Sequence, residues 1–207
     1  PVRQMFRFSS KLLLSGIITQ INTNVLNVLL GLYFSPRDTG YYNQAYQWNT
    51  KCCLLLQGMV QMVAQPVFVE LRNDSDRQLA VLRKLIRFTA FISFPLLLGF
   101  GLVAREFILI TITDRWETSA SLLKILCVCG GFMPLSTLLS QIIVSKGRSS
   151  VFMWCNVTLG LVQIVLMTML YPYGIRTMVS VYAALNILWF FVWHYFAGRL
   201  TGYRLTM

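Results

Sequence analysis

The chain has 207 residues, of which 56% are hydrophobic and only 12% charged, and its mean hydropathy is +0.62. Soluble domains carry about 25% charged residues, so this composition excludes a soluble fold, and its apolar content excludes disorder. The net charge of +11 comes from 18 Lys+Arg against 7 Asp+Glu, but the cations sit between apolar blocks, as in membrane-protein loops, and no nucleic-acid partner is expected.

Six apolar blocks are long enough to cross about 30 Å of hydrocarbon as helices. They cover residues 12–34, 42–68, 88–112, 119–145, 151–171 and 178–197. Barrel strands are excluded, because they alternate polarity over roughly ten residues and these blocks are longer, with helical periodicity. The fold class is therefore all-α: a polytopic membrane protein built as a six-transmembrane-helix bundle.

Between spans one and two, Ser35-Pro36-Arg37-Asp38-Thr39-Gly40 reads as a turn, as does Tyr171-Pro172-Tyr173-Gly174 between spans five and six. The longest connection, 70–87, contains Asn73-Asp74-Ser75-Asp76, and Ser75 or Asp76 is expected to cap a short amphipathic helix leading into span three. Pro66, Pro95 and Pro134 lie within or near the ends of spans, where each removes a backbone donor and can kink its helix.

Sorting the loops by side places Arg3, Arg7, Lys11, Arg72, Arg77, Arg83, Lys84, Arg87, Lys146, Arg148, Arg199 and Arg204 together, and Arg37, Arg105, Arg115 and Arg176 opposite. This bias of twelve to four predicts that both ends of the segment are cytoplasmic. Tyr41, Tyr42, Tyr46, Trp48 and Trp116 then fall near outer span ends and Trp154 and Trp193 near inner ones, the pattern of an interfacial aromatic belt. The five cysteines, Cys52, Cys53, Cys127, Cys129 and Cys155, all lie in apolar blocks without zinc-site spacing and read as buried, reduced packing residues. The chain starts at Pro1 without a signal peptide, and the expectation is a segment of a longer protein.

Polar groups in hydrocarbon must face protein or water. Span one carries Gly16, Gln20, Thr23, Asn24, Asn27 and Gly31 on one stripe, and span two carries Gln47, Lys51, Gly58, Gln61 and Gln65 on another. Span four has Gly130, Pro134, Thr137 and Gln141, and span five Asn156, Gly160 and Gln163. Small residues and amides of this kind serve helix–helix packing. In spans one and two their density also suits the wall of a hydrated cavity. The candidate lining residues are Gln20, Asn24, Asn27, Gln47, Lys51, Gln61 and Gln65 of these two spans, with Lys124 of span four. Amides and hydroxyls offer both donors and acceptors to a sugar-like ligand. For Lys51 two placements fit: near mid-depth, where it would attract an anion such as a diphosphate, or snorkelling outward. Lys124 lies nearer an outer end and favours snorkelling.

Enzyme signatures are missing. His194 is the single histidine, no Asp or Glu sits at depth in the spans, and Ser145-Lys146-Gly147 is not a phosphate loop. No catalytic residue, metal or cofactor is expected.

Phe8-Ser9-Ser10-Lys11-Leu12-Leu13-Leu14-Ser15-Gly16, Gly31-Leu32-Tyr33-Phe34-Ser35-Pro36 and Gly40-Tyr41-Tyr42-Asn43-Gln44-Ala45 are followed by Gln65-Pro66-Val67-Phe68. Then come Arg83-Lys84-Leu85-Ile86-Arg87, Phe94-Pro95-Leu96, Leu123-Lys124-Ile125-Leu126-Cys127 and Val144-Ser145-Lys146-Gly147-Arg148. In this order they resemble the bacterial lipopolysaccharide and O-antigen flippases, the Wzx-type polysaccharide transporters of the multidrug/oligosaccharidyl-lipid/polysaccharide exporter superfamily. The resemblance implies one lobe, the C-terminal one, of a two-lobe inner-membrane transporter. Its substrate would be lipid-diphosphate-linked oligosaccharide, and its partners membrane lipids and an N-terminal lobe of the same protein. The competing expectations are a cation-coupled multidrug exporter of the same superfamily and a membrane-embedded glycan-modifying enzyme.

Overall fold

A computed structural model of the chain describes residues 2–71 and 74–201, with the side chains of residues 2–9, 11, 12, 15, 65, 75, 200 and 201 left aside. The described residues form α1 (Val2–Tyr33), α2 (Pro36–Glu70), α3 (Ser75–Leu102), α4 (Ala104–Thr111), α5 (Glu117–Gly130), α6 (Met133–Ser145), α7 (Ser149–Leu170) and α8 (Ile175–Thr201), and no strand. Short 3-10 turns cover Asp114–Trp116 and Tyr171–Tyr173. Five segments are long and apolar enough to cross a membrane: Pro36–Glu70, Asp76–Leu102, Asp114–Ser145, Ser149–Tyr173 and Ile175–Arg199. The chain is an all-α polytopic membrane protein. The first span expected from sequence, residues 12–34, falls on α1, part of which lies outside the described side chains.

Local chemistry moved several predicted boundaries. The segment read as a turn before span two is instead a helix start. Extended Ser35 caps α2, its Oγ accepting from the Asp38 N–H at 3.2 Å and donating to Asp38 Oδ2 at 2.7 Å. Pro36 occupies the first turn, where its missing N–H costs nothing. The expected long connection after span two shrinks to a few residues. Asp74, rather than Ser75 or Asp76, is the cap of α3 and accepts from the Arg77 N–H at 3.1 Å. Gln78 Nε2 then donates to Phe68 O at 2.8 Å and ties the start of α3 to the end of α2. Span three ends at Leu102 rather than at residue 112, since Gly99 and Gly101 weaken its last turn. Arg105 and Glu106 therefore belong to α4, a separate short helix that buries Ala104 and Ile108.

Span four is not one helix. It breaks at Gly131 and Phe132 between α5 and α6. Pro134 lies in the first turn of α6 and has no N–H for the Gly130 carbonyl one turn back. The Cys53 thiol from α2 points at that carbonyl instead, 3.7 Å away, and Ser93 Oγ from α3 donates to Gly131 O at 2.9 Å. Buried backbone acceptors at the break are thus satisfied by neighbouring helices, as a low-dielectric setting demands.

Glycine notches set the helix contacts. Asn22 of α1 fills the space beside Gly160 of α7 so closely that any Cβ there would overlap its Oδ1. From that notch Asn22 Nδ2 donates to Asn156 O at 2.7 Å. Eleven residues further along both helices Tyr33 stacks on Tyr171, with ring centroids 4.6 Å apart, so α1 and α7 run in the same direction in register. A Cβ at Gly130 would lie 2.6 Å from Asn49 Oδ1 of α2, and one at Gly131 would lie 3.0 Å from Phe94 of α3. Around these notches Leu26, Leu30, Leu122, Leu123 and Ile108 form one apolar core, and Phe68, Leu82, Leu138 and Leu139 a second.

The aromatic-belt reading needs correction at three positions. Tyr41, Tyr42 and Trp193 are buried inside the bundle, whereas Trp154 is 63% exposed. Four of the cysteines are buried, Cys52 is half-buried, and all five are free.

Replacing Gly160 by Val should force α1 away from α7 and cost about 1–3 kcal/mol, the usual range for overpacking. Thermal unfolding of the full-length protein in detergent measures it. Adding Asn22→Ala to Gly160→Val should recover part of the loss, because it empties the notch; two strictly additive losses would show that these residues do not meet.

Candidate functional site

A cleft of about 370 Å³ opens among six helices. From α1 it takes Thr19 and Thr23; from α2 Tyr46, Thr50, Cys53, Leu54 and Gln57; from α5 Cys129. The break contributes Phe132, α6 Met133, Ser136 and Thr137, α7 Leu159, and α8 Asn186, Trp189 and Trp193. No charged side chain lines it. Hydroxyls and amides make the smaller part of the wall, and aromatic and apolar groups the larger.

Four of the polar groups are fixed by their own helices. Thr23 Oγ1 donates to Thr19 O at 2.7 Å, Ser136 Oγ to Phe132 O at 3.1 Å, and Thr137 Oγ1 to Met133 O at 3.0 Å. Asn186 Nδ2 donates to Tyr182 O at 2.8 Å. The rings are fixed by other rings: Phe132 meets Phe94 at 5.0 Å and Phe190 at 5.5 Å, and Trp193 meets Phe152 at 5.6 Å. The cleft is therefore a preformed surface rather than a collection of free rotors.

The residues proposed from sequence lie elsewhere. Gln20, Asn24, Gln47, Lys51 and Lys124 are exposed, and Asn27 and Gln61 are partly buried; the side chain of Gln65 lies outside the described residues, as do those of Arg3, Arg7, Lys11, Arg72 and Arg204. None of the seven whose side chains are described lines the cleft. Four of them are its sequence neighbours, however: Gln20 and Asn24 follow Thr19 and Thr23, and Gln47 and Lys51 follow Tyr46 and Thr50. One residue is about 100° of rotation on a helix. The amide stripes thus border the cleft on the outer faces of α1 and α2. The lining itself had a readable signal, Thr19/Thr23, Thr50/Gln57 and Asn186/Trp189/Trp193 at helical spacing, but of these only Thr23, on the stripe of span one, and Trp193, in the aromatic belt, stand out in the sequence reading.

Lys51 sits fifteen residues into α2, or roughly 22 Å from its start. Its Nζ lies 4.4 Å from the centroid of the Trp48 ring, one turn nearer the outer end. Trp48 is held edge-on to Phe107 of α4 at 4.8 Å. The ammonium is thus aimed along the outer face by a cation–π contact. Asn24 Nδ2 donates to Gln20 O at 2.9 Å, so its oxygen stays available as an acceptor. The Oδ1 of Asn27 is enclosed, with no hydrogen-bond partner among the described residues.

A second concavity lies where the loops before α2 and α5 meet, between Pro36, Arg37, Gly40, Tyr41, Arg115 and Trp116. Arg37 Nε donates to Tyr41 OH at 2.7 Å, and Tyr41 meets Trp116 edge-on at 5.5 Å. Nearby, Arg105 Nε pairs with Glu117 Oε1 at 2.9 Å, an exposed contact that raises the arginine pKa above its ordinary value.

Residues 1–121 match the family model described as polysaccharide biosynthesis protein. The chain belongs to this family. Curated proteins of similar sequence add to this match. The chain is 25% identical over 192 residues to "Teichuronic acid biosynthesis protein TuaB" of Bacillus subtilis (strain 168), covering 92% of this chain and 40% of that protein. It is 26% identical over 151 residues to "Lipopolysaccharide biosynthesis protein WzxC" of Escherichia coli (strain K12), covering 73% of this chain and 31% of that one. An uncharacterized membrane protein in the cps region of Klebsiella pneumoniae is 21% identical over 147 residues, with 71% of this chain and 30% of that protein covered. The matched part therefore spans well under half the length of these relatives. No solved structure matches. The family match covers α1 to α4 and the start of α5, which includes both amide-bearing helices and the α1 and α2 walls of the cleft.

If the cleft admits water, cysteines placed on its wall will react with a hydrophilic thiol reagent. In a background lacking the five native cysteines, Ser136→Cys and Gln57→Cys should label at least about tenfold faster than Leu138→Cys and Ile142→Cys, both fully buried. Equal rates at all four sites, read by mass spectrometry, would rule out a hydrated cleft.

Proposed function

We propose that the chain is the C-terminal lobe of a bacterial inner-membrane transporter that moves lipid-diphosphate-linked oligosaccharide from the cytoplasmic to the periplasmic leaflet. The observation that carries this reading is the exposure of Gln20, Asn24, Gln47 and Lys51 on α1 and α2. Amides and an ammonium are costly against lipid tails, so this face calls for a second polar lobe and water between the two. The matched part spans only 30–40% of the relatives' length, which leaves ample chain for such a lobe. Membership of a polysaccharide biosynthesis family supplies the substrate class.

The mechanism is alternating access. Two lobes rock around the shared polar space, open first to one side and then to the other. Lys51 receives the diphosphate, because a cation in a low-dielectric cavity is a strong anion ligand. Gln20, Asn24, Asn27, Gln61 and Gln65 line the sugar path. Lys124, nearer the outer end, meets the anion late in the passage. Both ends of this segment are cytoplasmic on the arginine and lysine bias. Transport rather than catalysis is the inferred activity, and no cofactor is invoked.

The test is complementation of a strain deleted for the full-length transporter. Lys51→Ala should lower surface polysaccharide by roughly tenfold at matched membrane levels, the effect of losing one charge-assisted contact. Lys51→Arg should retain most output. Normal output from Lys51→Ala would remove the lysine from the mechanism. Resistance to cationic drugs conferred by the same protein, without glycan export, would favour the drug-exporter alternative; loss of glycan product on replacing Asp38, Glu106, Asp114 and Glu117 together would favour an enzyme.

A further inference from the structure

We propose that the intralobe cleft is a neutral-sugar subsite, separate from the amide stripes and Lys51, which holds one or two sugar rings of the glycan while the diphosphate stays outside it. The proposal rests on the transport reading and assigns the recognition step within it.

Three observations carry it. The first is charge. All sixteen lining residues are uncharged at neutral pH. A diphosphate would enter without a counter-ion, and a cationic drug without a carboxylate, so either would lose its hydration with nothing in exchange. A neutral ligand pays no such penalty.

The second is hydrogen-bond polarity. Thr23, Ser136 and Thr137 spend their protons on carbonyls of their own helices, and Asn186 does the same with its amide N–H. What they keep for a ligand is acceptor oxygen. Gln57, the second amide N–H of Asn186 and the enclosed Trp189 Nε1, which has no hydrogen-bond partner among the described residues, add donors, and a cleft holding both kinds of group suits a sugar ring, whose hydroxyl groups donate and accept at once.

The third is the aromatic part of the wall. Phe132, Trp189 and Trp193 present rings, two of them locked by Phe94, Phe190 and Phe152. A pyranose has hydroxyls around its edge and an apolar C–H face. The polar groups of the cleft match the edge and its rings match the face. A lipid tail would leave the polar groups unsatisfied, and a chain of water would leave the rings unused. The volume of about 370 Å³ lies at the lower end of the range for small-molecule sites, which restricts the occupant to a short stretch of a glycan and excludes a whole repeat unit of several sugars with its carrier.

The experiment uses the full-length transporter in its own deletion strain, so that the native glycan is the probe. Thr50→Val, Thr137→Val and Asn186→Leu are combined, which keeps the shape of the cleft and removes three acceptors. Surface polysaccharide should fall at least about tenfold, with sugar-linked carrier accumulating inside. Returning a hydroxyl, as Thr50→Ser with Thr137→Ser and native Asn186, should restore export. Purified protein in nanodiscs adds a second readout, binding of the lipid diphosphate carrier lacking any sugar. The triple variant should bind this carrier as wild type does, whereas Lys51→Ala should not. Normal export by a stable triple variant overturns the subsite, and so does weakened binding of the sugarless carrier. If the triple variant is unstable, Thr50→Val alone is compared with Thr50→Ser; equal export by these two also overturns it. Failure of wild-type protein to restore any polysaccharide would instead overturn the transport reading, and the subsite with it.

Discussion

The bundle depends on side chains from one helix seated in glycine notches of another. In hydrocarbon there is no solvent-exclusion force pulling helices together, so close backbone approach and interhelical hydrogen bonds must do it. Asn22 beside Gly160 is the clearest case, since the notch and the bond to Asn156 O act at one point. Gly130 receives Asn49 and Cys53, and Gly131 receives Phe94. Through these contacts α1 is held on α7, and α2 and α3 on the broken span. Leucine packing fills the remaining volume but does not choose the register; an amide that fits one notch does.

This division explains what was legible in the sequence. Apolar block length located the membrane helices, because burial in lipid is read by hydropathy alone. Boundaries were less legible. Pro36 and Ser35 look like a turn in a string of residues, yet a proline in the first turn and a serine cap are also how a helix begins. Asp74 was passed over for Ser75 and Asp76, although a carboxylate one residue earlier makes the same bond to the backbone. Polar stripes were legible as stripes, but their direction was not. Periodicity says which residues share a face and leaves open which neighbour that face meets. Asn22, among the amides of span one, went inward as a knob, whereas Gln20 and Asn24, two residues to either side, stayed exposed.

The same ambiguity hid the cleft. A threonine donating to the carbonyl four residues back contributes little to a hydropathy reading, and four of the cleft's polar groups are engaged in this way. Tryptophans near a span end suggest an interface, yet Trp193 is buried and Trp189 turns into the cleft. Uncharged hydroxyls and rings leave a weak sequence signature because each has an ordinary packing role. Only their convergence from six helices distinguishes them, and convergence is a property of the fold.

The break in span four joins the two themes. An unbroken helix there would carry Gly130 and Gly131 as smooth backbone with its carbonyls paired internally. Pro134 removes one donor, and Cys53 and Ser93 reach in to take up the exposed carbonyls, which draws α2 and α3 onto the break. Phe132, at the break itself, lines the cleft together with Met133, Ser136 and Thr137 of the restarted helix. Broken helices are tolerated in membranes only where protein or a cavity satisfies the freed backbone, and they recur where transporters bind their substrates. Here protein satisfies the backbone on one side of the break and a polar cleft opens on the other. One proline and two glycines therefore serve both the cohesion of the bundle and the shape of its cleft, which is why the packing of this lobe and its capacity to bind cannot be varied independently.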